Sequence, residues 1–139
     1  MSAYGSLAAS YDRLTSDVPY AEILAFVQTL LTERGVAPRS VLDLACGTGT
    51  MSLLLAQSGY QVIGADMSEE MLTVAYDKAS ALPDNRPFFV CQRMERLCLP
   101  DPVDWVLCCL DSINYLTDPA ACQETFRRVY RSLCPGGVF

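Results

Sequence analysis

The chain has 139 residues, 51% of them hydrophobic and 19% charged, with a formal net charge of −6 and no histidine. This composition fits one packed domain spanning 1–139; the chain is too short for two domains and too apolar for a disordered tail. Apolar runs such as Val103 to Leu110 end well before the roughly 20 residues that a bilayer span needs, and the absence of any basic run argues against a nucleic-acid partner.

The N-terminus MSAYGSLAASYDRL has neither the basic n-region nor the long apolar h-region of a secretory signal, so a cytoplasmic location is expected. Residues 1–35 read as an N-terminal helical segment. From Pro19 its apolar residues fall at Tyr20, Ile23, Leu24, Val27, Leu30 and Leu31, a helical stripe that stops at Gly35 with Pro38 beyond. A core over 39–139 follows. Arg39 to Ala45 is a nearly continuous apolar strand of the kind buried on both faces of a parallel sheet. Thr50 to Ser58 predicts a short helix closed by Gly59 at C′. Gln61 to Ala65 predicts a second strand ending at Asp66.

Ser68 is a good N-cap, with Glu69 and Glu70 set against the positive end of the dipole, for a helix running to about Ala79. Phe88 to Cys91 and Val103 to Cys109 predict a third and a fourth strand. Asp118-Pro119 starts a helix whose stripe is Cys122, Phe126, Val129, Tyr130 and Leu133. The alternation predicts a Rossmann-like, doubly wound α/β/α sandwich with an open parallel sheet, and a fifth strand starts after Pro135-Gly136-Gly137. A sequence that stops on the first residues of a strand suggests a truncated domain. With strand 5 only begun, the edge beside Val106 to Cys109 is expected to be open and to favour self-association. The seven cysteines form no C-x-x-C pair and are expected to be small core residues in a reducing compartment, with no metal site.

In doubly wound sheets ligands bind beyond the carboxyl ends of the strands. Ala45 to Gly49 occupies that edge, and Gly47 and Gly49 let a ligand lie against bare backbone; without a ligand, the same residues make a tight strand-to-helix turn. Asp66, nineteen residues after Gly47, is placed to accept hydrogen bonds from both hydroxyls of a ribose. Met67 beside it is either an adenine contact or loop packing. A dinucleotide fold wants G-x-G-x-x-G, yet the third position is Ser52. Asp43 also suits an ammonium or sulfonium cation better than a pyrophosphate.

These residues carry a resemblance. DLACGTG, DMSEEML and the terminal LCPGG, together with CLDSINYL and ASYDRL...DVPY, resemble the class I S-adenosylmethionine-dependent methyltransferases, in particular their small-molecule-type bacterial branch. The resemblance implies strands in the order 3-2-1-4 with the start of 5, and methyl transfer from S-adenosyl-L-methionine to an unidentified small acceptor, with S-adenosyl-L-homocysteine as product. A non-catalytic module binding either nucleoside, or an inactive fragment, is the alternative, and an RNA or protein methyltransferase a lesser one.

By the same resemblance Ala45, Cys46, Gly47 and Gly49 back onto the methionine and ribose, Asp43 serves the amino-acid end, Asp66 the ribose and Met67 the adenine. The family's acid after the third strand falls on Arg93, a departure that leaves the backbone of Met94, or Glu95, to meet the adenine. Leu110 and Asp111 would face the methionine moiety, with Ser112, Asn114 and Tyr115 on the same rim. Tyr11 and Tyr20 resemble residues that close over the cofactor. No catalytic base is assigned.

Overall fold

The computed structural model describes residues 10, 12–13, 15–109 and 117–139. Helix α1, Tyr20–Glu33, precedes β1, Ser40–Leu44. The chain continues through α2, Thr50–Gln57, β2, Gln61–Asp66, α3, Glu69–Ala79, and β3, Phe88–Cys91. After a 3₁₀ turn at Met94–Arg96 come β4, Val103–Cys108, α4, Pro119–Ser132, and β5, Leu133–Val138. The five strands pair in the order β3-β2-β1-β4-β5, all parallel, as the alternating pattern predicts.

Strand β1 is the middle strand and sends apolar side chains to both faces. Val41 joins Leu24, Leu31, Met51, Leu55, Val62 and Trp105 in a core under α1 and α2. Leu42 and Leu44 join Val106, Leu97 and Val129 in a second core under α4. Asp43 lies on the Val41 side, in register with Gly64 of β2 and Leu107 of β4. On the same side the Tyr60 ring packs edge-on to Trp105, centroids 5.5 Å apart, and its hydroxyl accepts from Gln28 Nε2 at 3.1 Å.

Two expectations change in the structure. The α4 stripe is rotated: its buried residues are Thr125, Val129 and Ser132, while Phe126 and Tyr130 are 49% and 79% exposed. Small residues bring this helix close to the 3₁₀ turn and β4, and the two buried hydroxyls donate to the carbonyls of Ala121 and Arg128 one turn back. Strand β5 begins at Leu133 rather than after the glycines, with a register shift between Val103 and Trp105 of its partner. Gly136, at φ +81°, lies within that irregular stretch. Its pairing covers the edge of β4 from Val103, opposite Leu133, to Trp105, opposite Val138. None of the seven cysteines is fully buried: Cys91 and Cys98 are exposed and the rest half-buried.

Candidate functional site

The strand order reverses between β1, whose next strand lies on one side, and β4, whose next strand lies on the other. In a doubly wound sheet ligands bind beyond the carboxyl ends of the strands at such a point. Leu110, Asp111, Ser112, Asn114 and Tyr115, which follow β4, and Tyr11 lie outside the described residues. The loop after β1 is therefore the wall that can be built up residue by residue.

That loop leaves the strand through Ala45, Gly47 and Gly49, all in the left-handed region at φ +57°, +57° and +81°. Cys46 N–H donates to the Ala65 carbonyl at 2.9 Å, carrying the β1–β2 ladder one step past the strand, and Gly49 N–H closes the turn on the Cys46 carbonyl at 3.0 Å. Two glycines are demanded by what lies beneath. A Cβ on Gly64 would stand 2.7 Å from the Phe89 ring, and one on Gly49 would stand 2.9 Å from the Ala75 Cβ and 3.4 Å from the same ring. Phe89 thus fills the place that side chains would take and supports the loop from β3. Sequence reasoning did not single it out, because nothing local marks a ring that reaches across a strand.

Asp66 ties the loop to the end of β2. One carboxylate oxygen accepts from Gly47 N–H at 2.9 Å, the other from Ser68 N–H at 2.9 Å. Each oxygen keeps a further acceptor direction. Ser68 in turn caps α3, its hydroxyl accepting from Met71 N–H at 3.2 Å. Met67, 55% exposed, stands open beside Asp66.

Asp43 is 2% exposed and accepts the Ser52 hydroxyl at 2.7 Å. Burial pushes its carboxyl up to about 7; the Ser52 hydroxyl and N–H pull it down, and the neighbouring Asp66 charge pushes it further up. Burial likewise raises the Cys46 thiol well above its ordinary value, with Asp43 and Asp66 adding to the effect, so this sulfur is no nucleophile at neutral pH. The cradle has a carboxylate-rich floor and bare backbone walls. It suits a neutral sugar edge and a cation, and would repel a pyrophosphate.

Beyond β3, Gln92 N–H donates to the Asp66 carbonyl at 3.0 Å, while its side chain clamps both backbone groups of Cys98. Arg93, at the family's acid position, pairs with Glu95, and this bond holds the Glu95 carboxyl below its usual value. The Met94 side chain packs against the core under α4, and its carbonyl accepts from Leu97 N–H at 3.2 Å. The structure thus brings together Asp43, Ala45, Cys46, Gly47, Gly49, Asp66 and Met67. Tyr20 is placed elsewhere: it packs against the α1–α2 core and lines a separate cleft of about 480 Å³ with Asp12, Thr15, Glu22, Thr50 and Lys78.

Comparison with known proteins agrees with this geometry. The family described as "Methyltransferase domain" matches residues 41–137. "Putative methyltransferase YqeM" of Bacillus subtilis (strain 168) is 40% identical over 137 residues, 97% of this chain and 53% of that protein. A "Ubiquinone biosynthesis O-methyltransferase" of Pseudomonas paraeruginosa is 33% identical over 131 residues, 91% of this chain and 54% of its own length. The crystal structure of an S-adenosylmethionine-dependent methyltransferase from Clostridium acetobutylicum ATCC 824 superposes with a TM-score of 0.84 at 31% identity, covering 98% of this chain and 55% of that one. The chain spans about half the length of the curated relatives it matches.

Proposed function

Because the chain belongs to the class I S-adenosylmethionine-dependent methyltransferases, we propose that it binds S-adenosylmethionine in the cradle of Asp43, Ala45, Cys46, Gly47, Gly49 and Asp66 and serves methyl transfer to a small-molecule acceptor. The observation that carries this reading is Asp66: its two oxygens hold the glycine loop and the start of α3 at once, and keep acceptor capacity for a ribose diol. Met67 offers an apolar shelf for the adenine, and the Met94 backbone takes the place of the family's acid, which is Arg93 here. Leu110 and Asp111 complete the proposed set on the methionine side, and Tyr20, which lines the separate cleft, stands apart from it.

When bound, the cofactor supplies a methyl group already activated by a sulfonium. The chain's own residues therefore have to orient and desolvate more than to transfer protons. Asp43, ionised by the arriving cation, holds its charged end; the glycine loop excludes water from one side; Asp66 fixes the ribose and with it the direction of the sulfur. The net charge of −6 favours a small acceptor over a polyanion. No helix among the described residues is long and apolar enough to cross a membrane, and a chain with seven cysteines in no C-x-x-C pair suits the reducing cytoplasm.

Calorimetric titration with S-adenosylhomocysteine and with NAD tests the reading. Saturable binding of the first alone is expected, weakened about 100-fold in Asp66→Ala, the loss of two hydrogen bonds to a charged acceptor. Binding of NAD, or homocysteine-nucleoside binding indifferent to Asp66, would overturn it.

A further inference from the structure

Asp12, within the ASYDRL segment, was given no role by the sequence, yet its carboxylate joins three parts of the chain. One oxygen accepts a short hydrogen bond from the Thr48 hydroxyl and lies 3.5 Å from that of Thr50; the other pairs with Lys78 Nζ at 2.7 Å. Lys78 Nζ also donates to Thr50 Oγ1 at 3.1 Å. Thr48 is the residue between the two loop glycines and is 1% exposed. From the other side, Gly49 presses on Ala75 of α3, one helical turn before Lys78.

We propose that Asp12 is a positioning residue for the cofactor loop: by clamping Thr48 against α3 through Lys78, it holds Gly47–Gly49 in the conformation that receives S-adenosylmethionine. The inference rests on the cofactor reading above. A loop with glycines at alternate positions samples many backbone states. Its ordering must be supplied either by the ligand at each binding event or by the protein beforehand, and the second gives the tighter complex. The loop backbone has anchors at Cys46, Gly47 and Gly49, whereas the Thr48 side chain is held by Asp12.

The clamp is ionic as well as hydrogen-bonded. Burial works against the Asp12 carboxylate, but hydrogen bonds from Lys78, Thr48 and Thr50 outweigh it and hold the group below its usual range. The side chains of Lys78 and Asp12 are 28% and 40% exposed, so the pair itself adds little to global stability. The effect belongs to the loop, and that separates positioning from mere support.

The test is titration of the full chain with S-adenosylhomocysteine, comparing wild type with Asp12→Ala, Thr48→Val and the double variant. Each single change is expected to weaken binding roughly 10-fold, and the double variant no more than either alone, because both remove the same constraint. Asp12→Asn, which keeps an oxygen for Thr48 but loses the ion pair to Lys78, is expected to recover part of the affinity. Amide hydrogen exchange at Thr48 and Gly49 of the cofactor-free chain is expected to quicken in Asp12→Ala. Should that variant not fold, Lys78→Met gives a second route to the same readouts.

Unchanged affinity and unchanged loop exchange in a folded Asp12→Ala would overturn the proposal while leaving the cofactor reading intact. Independent, multiplicative losses for Asp12 and Thr48 would also overturn it. Wild-type chain that binds no S-adenosylhomocysteine would overturn the cofactor reading, and this inference with it.

Discussion

Each end of the sheet holds an aspartate that its surroundings shift in the opposite direction. At the amino end of β4, Asp104 accepts from the N–H groups of Arg39 and Ser40 at 2.8 and 3.1 Å, while its own N–H donates to Ser40 Oγ at 3.0 Å. The two backbone hydrogen bonds hold its carboxyl below the usual range. Toward the carboxyl end of β1, Asp43 is sealed in, is served by Ser52 alone, and rises to about 7. The first carboxylate ties two strands together and suits the fold. The second is hydrogen-bonded only within the Ser52 turn and is raised chiefly by desolvation, the kind of perturbed carboxyl that clusters at functional sites.

The two aspartates make opposite contributions to stability as pH changes. Asp43 in the folded chain, near 7 against 3.8 as a model carboxyl, holds a proton that the unfolded chain releases. Its contribution therefore declines as pH rises from about 4 to 7, and the penalty is complete above that. Asp104, shifted down, stabilises the fold above the ordinary carboxylate range, and its contribution fades as pH falls through its lowered value.

The largest effect that would break this contrast is expected from Asp43→Asn. Urea unfolding of the cofactor-free variant at pH 8 should show a gain on the order of a few kcal/mol over wild type, a smaller gain at pH 5 and little difference below about pH 4, because a buried charge is removed. The same variant should bind S-adenosylmethionine more weakly at pH 8. A variant no more stable than wild type at pH 8 would mean that Asp43 is not strained in the empty site. Next comes Asp104→Ala, expected to lose about 1–3 kcal/mol at neutral pH by leaving two backbone donors without their carboxylate. Asp104→Asn should lose less, since its amide oxygen still accepts, and equal losses would show that the charge matters more than the acceptor. Smallest is Ser52→Ala, about 1 kcal/mol. Its sharper readout is a carboxyl NMR titration, where the Asp43 midpoint should move above that of wild type; an unmoved midpoint would take Ser52 out of the account.

Much of this was legible before any coordinates. Ser68 and Asp118 announce their helices because a cap is a local device: each side chain accepts from an N–H within three residues. The glycine loop and Asp66 were readable because their separation is that of one strand-helix-strand unit. The α4 face was not. Its period is helical, but two adjacent stripes compete, one aromatic and one of Thr125, Val129 and Ser132, and only the close approach of β4 and the 3₁₀ turn selects the smaller. Phe89 escaped for a similar reason, since its role depends on the missing side chains of Gly49 and Gly64 in neighbouring elements.

By itself the sequence determined the strand alternation, the helix starts, the bare loop and the acid at the end of β2, because hydrophobic period, capping and backbone freedom act within a few residues. Only the tertiary structure decided which of its aspartates stabilise the fold and which strain it. It alone brought Asp12 to Thr48 and Lys78 across 36 and 66 residues. Desolvation and side-chain convergence are properties of the packed whole, set by what the fold places around a residue rather than by its neighbours along the chain.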